Sequence, residues 1–364
     1  MAAYIILLIY ISFLGYKMFF NEGATRKKNR LFLFLAFTPI FLLQSLRGEF
    51  VGWDTKNYVA AYRFLIKGSE LMWAKWETGF TTIYQLTALF SDNPQWMLAG
   101  CAAVIMTGYG IFIYENTEED SSVFWPVFFF FTLTHFFSSM NLLRQSCAMA
   151  FSLNIYTVLK KDTSFKGYVK AVLLLIAGFM FHSAAIVCIG FFLPFVKRRC
   201  GRFSMFGVVL LSVAGYVFFP KILEILFQMF PKYQFYEDSE FFSEASIGAY
   251  YLIQMMLKAG LLLLVLLIDP QDDRSRDVYR LALLVALSIG IIMLKSKVNL
   301  AGRLSYFYDI FTILLIPKAI NRLCEGETRQ RMYGLVYLLG VFMLFYTMLG
   351  SSRGCVPYTF FWQA

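Results

Sequence analysis

The chain has 364 residues, of which 59% are hydrophobic and only 15% are charged, and its formal net charge is +10. A soluble domain of this size keeps about a quarter of its residues charged, so the composition excludes an ordinary water-soluble fold. The basic residues stand in short clusters at the ends of apolar runs. This distribution argues against nucleic-acid binding and indicates control of membrane topology.

The apolar residues fall in runs of about 15–20 residues, separated by short charged clusters, as is typical of membrane spans. Lipid offers the backbone no hydrogen-bond partner, so such runs must be helices. The sequence therefore predicts an all-α fold, a polytopic transmembrane helical bundle of about twelve spans. We expect a single integral membrane domain over residues 1–364.

The positions of Lys and Arg predict the orientation of these spans. A basic cluster follows the first apolar run and should stay cytoplasmic; it consists of Arg26, Lys27, Lys28 and Arg30. The amino terminus is then outside. After twelve spans, the carboxyl terminus is outside as well. The predicted spans are residues 3–20, 31–46, 96–114, 122–140, 142–159, 168–181, 183–196, 203–220, 249–268, 281–294, 304–320 and 332–350.

Two segments are predicted to be external. Residues 47–95 contain one short apolar piece, residues 80–90, which as a helix would be only about 16 Å long. Counting it as a span would place the later basic clusters outside, so we expect a re-entrant or interfacial helix. Residues 221–248 form a larger external loop. We also expect two short helices to meet at an external turn at His182, since short broken helices are tolerated where they line a protein cavity.

Several charged and polar residues do not serve topology and converge on the predicted external side. They belong to the stretches "RGEFVGWDTKNY", "WETGF", "NLLRQSCAMA", "FHS" and "NLAGRLSYFYD". Ionisable groups at membrane depth usually face the bundle interior and mark a site, and arginines there would suit a pyrophosphate. The candidate site residues are Arg47, Asp54, Glu77, Arg144, Gln145, His182, Arg303 and Tyr306.

Structural interpretations stand beside these functional ones. An arginine at a helix end can reach the lipid headgroups, Asp54 can serve a turn, and His182 can serve a helix break. As chemistry, His182 is the first candidate for a general base and Asp54 the second. The sequence contains no HxxxH or HExxH pair, no Walker loop and no dinucleotide glycine pattern. It therefore predicts no metal and no cofactor.

In their order and spacing, these stretches resemble the EpsG-like family of exopolysaccharide polymerases, relatives of the Wzy-type O-antigen polymerases. The resemblance covers roughly residues 47–317. It implies a glycosyltransferase in the bacterial inner membrane, with its site facing the periplasm or outside. Such enzymes transfer a growing glycan from undecaprenyl pyrophosphate to the next lipid-linked repeat unit, and they need no nucleotide sugar.

The resemblance also implies roles for the candidate residues. Arg144 and Arg303 would hold the leaving pyrophosphate, with Gln145 and Tyr306 beside them in the substrate site. Arg47 would assist, or would pair with Glu49 or Asp54. His182 or Asp54 would be the base, and Glu77 would shape the sugar site. The expected partners are the lipid-linked oligosaccharide and membrane lipid; a chain-length regulator and a flippase are candidate partner proteins.

Three other functions remain open from the sequence. A flippase for the same lipid-linked sugar needs a charged cavity open to each side in turn, and often shows two related halves, which this sequence lacks. An O-antigen ligase shares the chemistry and differs only in acceptor. A membrane acyltransferase would usually need a His–acid constellation and a donor tunnel, and His182 alone does not exclude it.

The orientation can be tested by cysteine labelling. A cysteine at Ser239, in the predicted external loop, should react with an impermeant maleimide added to intact cells. A cysteine at Ser275, in a predicted cytoplasmic turn, should react only after the cells are broken. The unmodified protein gives the background of its six native cysteines. Labelling of intact cells at Ser275 and not at Ser239 would invert the predicted topology.

Overall fold

The structure is a computed structural model that describes residues 1–20, 23–68, 76–196, 200–229, 243–244 and 246–363. Every regular element in these ranges is a helix, which confirms the predicted all-helical fold class. The α-helices are α1 (Ala2–Phe19), α2 (Arg26–Ser45), α3 (Thr55–Ile66), α4 (Thr78–Ala88), α5 (Gln95–Asn116), α6 (Phe124–Thr132), α7 (His135–Asn141), α8 (Leu143–Lys161), α9 (Phe165–Phe181), α10 (Leu193–Val196), α11 (Arg202–Met229), α12 (Ala249–Val265), α13 (Asp273–Met293), α14 (Ala301–Leu304), α15 (Tyr306–Asp309), α16 (Thr312–Leu323) and α17 (Gly326–Leu349). A 3₁₀ helix, Ser183–Phe192, precedes α10.

Within the described ranges, five helices have the length and apolar composition of membrane spans. They are Ala2–Phe19, Gln95–Asn116, Arg202–Ile225, Asp273–Ser296 and Gly326–Leu349. Two further apolar helices, Ser183–Phe195 and Ala249–Val265, are shorter. The chain is therefore a membrane protein, whereas the count of twelve spans stays a prediction.

The chain divides into two compact units. The first comprises Met1–Ile189 and Tyr333–Ala364, and the second comprises Gly190–Met332. This division reflects only how closely parts of the chain pack. It does not test whether the chain forms a single membrane domain, so that stays a prediction.

In the first unit, α8 packs against α5 and α9, and most of its side chains are buried. Polar side chains join α5 to α8. The side-chain amide of Asn116 donates to the Thr157 hydroxyl at 2.8 Å, and that of Asn154 donates to the Gly108 carbonyl at 3.1 Å. In lipid such polar groups associate across helices because the alternative is an unmet hydrogen bond. Helix α8 is therefore a core helix, which accounts for its polar composition.

In the second unit, α13 packs against α11, α12, α15 and α16. It begins after Asp272, whose carboxylate caps the helix by accepting a hydrogen bond from the Ser275 amide at 2.6 Å. Helix α11 instead keeps large apolar side chains exposed, among them Phe203, Phe206 and Leu210. A contiguous exposed apolar face of this kind is expected of a helix that contacts lipid.

Two predicted spans that read as continuous are broken in the structure. Residues 122–140 form α6 and α7, because Thr134 between them has a left-handed backbone with φ of 71°. That conformation is unfavourable for a β-branched residue and cannot continue a right-handed helix. Residues 304–320 are likewise divided among the end of α14, α15 and α16. Apolar composition predicts burial in these segments, but it does not reveal the breaks.

The predicted external loop, residues 221–248, begins with a helical segment, and its external location stays a prediction. Helix α11 continues through Pro220 to Met229, so residues 221–229 are helical. A proline removes one backbone donor but does not end every helix, and the following turn is supported by the Lys221–Glu224 ion pair at 2.8 Å. Residues 230–242 and 245 of the predicted loop lie outside the described residues.

The segment of residues 47–95 contains two helices rather than one. Helix α4 corresponds to the predicted short helix at residues 80–90, although its re-entrant or interfacial location stays a prediction. Helix α3 was missed, although its buried Tyr58, Val59 and Tyr62 are spaced as one helical face. The break at His182 is confirmed, because α9 ends at Phe181 and His182 itself is extended.

Among the described residues of the second unit there are two buried ion pairs. Lys258 of α12 pairs with Asp309 of α15, and Lys318 of α16 pairs with Asp277 of α13 at 2.6 Å. All four side chains are at most 6% exposed. An isolated charge at such a position would be very costly, so each partner makes the other tolerable.

The Lys258–Asp309 pair predicts strong coupling between two substitutions. Lys258→Met alone should lower the free energy of unfolding by about 3–5 kcal/mol, because it leaves a buried carboxylate uncompensated. The double variant Lys258→Met/Asp309→Leu should recover most of that loss. Unfolding of the detergent-solubilised protein measures both effects. The matched control is Lys221→Met, which breaks an exposed pair and should cost less than about 1 kcal/mol; equal losses in the single and double variants would contradict the prediction.

Candidate functional site

The first unit brings the start of α4 against the end of α9. A Cβ atom at Gly79 would lie 2.8 Å from the Met180 carbonyl oxygen, so a side chain at this position would force the two segments apart. Glu77 precedes α4 in an extended conformation, and His182 follows α9. The close approach at Gly79 therefore brings these two side chains together.

The carboxylate of Glu77 is the centre of a small charged cluster. Its Oε2 atom lies 3.3 Å from Nη1 of Arg144, and its Oε1 atom accepts a hydrogen bond from the Ser183 amide at 2.8 Å. The same Oε1 atom is 3.9 Å from Nδ1 of His182. The side chains of Glu77, Arg144 and His182 are 18%, 22% and 25% exposed, so the cluster is mostly shielded but still reachable.

Arg144 is the second residue of α8 and has an aromatic neighbour as well as a carboxylate. Its guanidinium lies over the ring of Trp76, 5.5 Å from the centroid. Trp76 in turn packs against Tyr58, Phe80 and Tyr84. Trp76 was not among the residues predicted from the sequence, although it directly precedes Glu77. An aromatic residue adjoining an ionisable candidate was the available signal.

Asp54 lies in a turn tied to the segment that leads into α8. Its backbone amide donates to Oδ1 of Asn141 at 3.0 Å, three residues before Arg144. Gly52 begins the turn with φ of 94°, a left-handed conformation that glycine adopts without strain. The turn therefore brings the Asp54 backbone beside the end of α7, with the Asp54 side chain half-buried.

Arg47 occupies a different environment from Arg144. Its side chain is fully buried, and it donates to the backbone carbonyls of Gln44 and Met140, the latter at 3.0 Å. Its Nε atom donates to the Thr55 hydroxyl at 3.4 Å. Glu49, which the sequence offered as a partner for Arg47, pairs instead with Arg63 at 2.8 Å. The guanidinium of Arg47 thus joins the end of α2, the end of α7 and the start of α3, and we do not carry it into the proposed site.

The other candidate residues are distributed as follows. Gln145 is buried on α8. Arg303 and Tyr306 belong to the second unit, where Arg303 is exposed and the Tyr306 hydroxyl lies 3.1 Å from that of Tyr251. Their convergence with Arg144 stays a prediction.

In the described part of the chain, no three His, Cys, Asp or Glu side chains are grouped as metal ligands. An apolar groove of about 670 Å³ between α2 and α5 contains none of the candidate residues.

The buried position of Arg47 predicts a structural role. Arg47→Met should lower the free energy of unfolding by about 2 kcal/mol or more, because the Gln44 and Met140 carbonyls lose their donors in a buried place. Arg63→Met removes an exposed arginine from the same unit and should cost less than about 1 kcal/mol. Denaturant unfolding of the two purified variants compares them directly. Equal losses would show that the buried hydrogen bonds contribute nothing specific.

Comparison with known proteins gives one family. The model of the EpsG family matches residues 30–360, which is nearly the whole chain and includes every candidate site residue. No curated protein and no solved structure matches the sequence. The match extends beyond both ends of the region in which the motifs showed the resemblance. This protein, a helical membrane protein with a Glu77–Arg144–His182 cluster, belongs to the EpsG family.

Proposed function

We propose that this protein is a polysaccharide polymerase that transfers a growing glycan from undecaprenyl pyrophosphate to the next lipid-linked repeat unit. Membership of the EpsG family supports a role in polysaccharide biosynthesis. The observation that carries the proposal is Arg144, which is held half-buried between the carboxylate of Glu77 and the ring of Trp76. A guanidinium in this setting is suited to a substrate that carries a pyrophosphate.

The surroundings of Arg144 favour an anion. A guanidinium keeps its charge and can contact two phosphate oxygens at once. Arg144 also belongs to the first turn of α8, a 19-residue helix, where the helix dipole favours negative charge. Partial shielding from water strengthens its attraction for phosphate. These contributions act most strongly on the charge that the leaving pyrophosphate gains in the transition state.

The proposed reaction is a glycosyl transfer. A hydroxyl oxygen of the acceptor sugar attacks the anomeric carbon of the donor, and the bond from that carbon to the pyrophosphate oxygen breaks. The electron pair leaves with undecaprenyl pyrophosphate, and the hydroxyl proton passes to a base. His182 and Asp54 are the two predicted candidates for that base. The donor is already activated, so the proposal requires neither a nucleotide sugar nor a cofactor.

The location and the remaining residues belong to the same proposal. We place the reaction at the outer face of the bacterial inner membrane, since the positive-inside rule puts the turns around Asp54, Glu77 and His182 outside. Arg303 is the proposed second arginine of the pyrophosphate site, and Tyr306 a sugar contact. Gln145, buried directly after Arg144, would support the orientation of the first turn of α8.

Arg144 provides the central test. Arg144→Ala should leave the protein in the membrane but abolish long-chain glycan, leaving a single-repeat band on a gel of the surface polysaccharide. Arg144→Lys should be nearly as damaging, because an ammonium cannot offer two parallel N–H groups to a phosphate. The assay uses cells that lack the protein and are complemented with each variant.

The control is Arg63→Ala, an exposed arginine of the same unit, which should restore the full ladder. A full ladder with Arg144→Ala would remove the pyrophosphate role. Loss of even the single-repeat band in cells without the protein would favour a flippase, because the unit would then not reach the outer face. An intact ladder in those cells, attached to a different lipid from the one that carries it in wild-type cells, would favour a ligase.

A further inference from the structure

The hydrogen bonds around His182 determine which of its nitrogens carries the proton. The backbone amide of Ala184 donates to Nδ1 of His182 at 3.0 Å. A backbone amide always carries its hydrogen, so Nδ1 must supply the lone pair. In the neutral imidazole the single proton is then on Nε2.

Two side chains share the task of satisfying the amides at the start of the 3₁₀ helix. Nδ1 of His182 accepts from Ala184, and Oε1 of Glu77 accepts from Ser183. The amide of His182 itself donates to the Gly178 carbonyl at the end of α9. Of these donors, the Ala184 amide contacts the imidazole and fixes the orientation of its ring. A flip of the ring would put Cδ2 in the place of Nδ1 and leave the Ala184 amide without its acceptor.

This arrangement disfavours His182 as the general base. A base takes a proton on a lone pair, and the lone pair of neutral His182 is on Nδ1, where the Ala184 amide already uses it. The facing charges do not change this conclusion. The Glu77 carboxylate lies 3.9 Å from Nδ1 and is itself paired with Arg144. If a second proton were added at Nδ1, it would face that carboxylate, and Nε2 would still be a donor.

We propose that His182 is a hydrogen-bond donor through Nε2, and that it binds the oxygen that joins the donor sugar to the pyrophosphate, as negative charge develops on that leaving oxygen. The inference rests on the proposed polymerase function and refines the role of one residue in it. A fixed N–H donor beside a guanidinium stabilises a leaving oxygen in the same way as the donors of an oxyanion hole.

The acceptor proton then passes to a carboxylate. Glu77 is engaged by Arg144 and by the Ser183 amide, so it is poorly placed to accept a proton without dismantling the cluster. Asp54 is the remaining predicted candidate. The overall reaction is the same as the one proposed above. The hydroxyl proton moves to the Asp54 carboxylate, and the electron pair of the glycosidic bond leaves with the pyrophosphate.

Two substitutions separate the possible roles of His182. The side-chain nitrogen of Gln reaches the position of Nε2 and donates, whereas the carbonyl oxygen of Asn reaches the position of Nδ1 and accepts. His182→Gln should therefore retain at least about a tenth of the polymerisation rate. His182→Asn should lose about 100-fold or more, the usual cost of removing one such donor. The assay adds lipid extract from cells that lack the protein to membranes that contain each variant, and it measures growth of the glycan.

Each other pattern overturns the proposal. Loss of activity in both variants would restore His182 as the base. An active Asn variant beside an inactive Gln variant would reduce His182 to a cap for the Ala184 amide. If wild-type membranes do not extend the glycan, the proposed polymerase function itself fails, and the failure is independent of His182.

The pH dependence of the wild-type protein gives a test that needs no variant. A histidine base with the reference pKa of about 6.5 is active only when deprotonated, so its rate would fall about tenfold for each pH unit below that value. Nε2 of a histidine donor carries its hydrogen in both protonation states, so the donor role does not require a deprotonated imidazole. The rate should therefore stay within about twofold between pH 7 and pH 5.5. A decline of about eightfold over this range that is absent in His182→Gln would overturn the donor role.

Discussion

A guanidinium enclosed in protein keeps its charge, and each of its N–H groups then needs an oxygen acceptor. Arg47 meets this requirement with carbonyls of Gln44 and Met140 and with the Thr55 hydroxyl. These acceptors come from three elements, so one side chain fixes α2, α7 and α3 relative to one another. The turn that carries Asp54 lies within this clamp, and α7 leads directly to Arg144. The positions of Asp54 and Arg144 therefore depend on Arg47, which is not part of the proposed site.

The arrangement of Arg144 and His182 depends on one carboxylate, that of Glu77. Glu77 contacts the Arg144 guanidinium with one oxygen and the Ser183 amide with the other, and it can do so because Gly79 lets α4 approach the end of α9 closely. The cluster thus combines residues from three separate stretches of the sequence. The Ala184 amide holds the ring of His182, so contacts within the protein orient this side chain in the cluster.

Local patterns predicted what depends on local chemistry. Apolar runs predicted most of the helices, although not α3, and the placement of "FHS" between two apolar halves predicted the break at His182. Charge convergence predicted one site of eight residues, and the structure brings three of them, Glu77, Arg144 and His182, together. The structural role of Arg47 could not be predicted. The acceptor that distinguishes this role from contact with a ligand is the Met140 carbonyl, 93 residues away in sequence. The break at Thr134 is equally hidden, since a positive φ in an apolar run depends on tertiary packing. The tautomer of His182 could not be predicted either, because it depends on the position of the Ala184 backbone amide.

The contrast between Arg47 and Arg144 shows how the same side chain serves two purposes. Arg47 is surrounded by neutral carbonyls that cannot leave, so its interactions are permanent. Arg144 is balanced by a carboxylate and an aromatic ring, and a more highly charged pyrophosphate can compete for it. In the proposed function, Glu77 would keep its hydrogen bond from the Ser183 amide when Arg144 turns to such a ligand. The carboxylate would therefore keep one hydrogen-bond donor both with the anion bound and after its release.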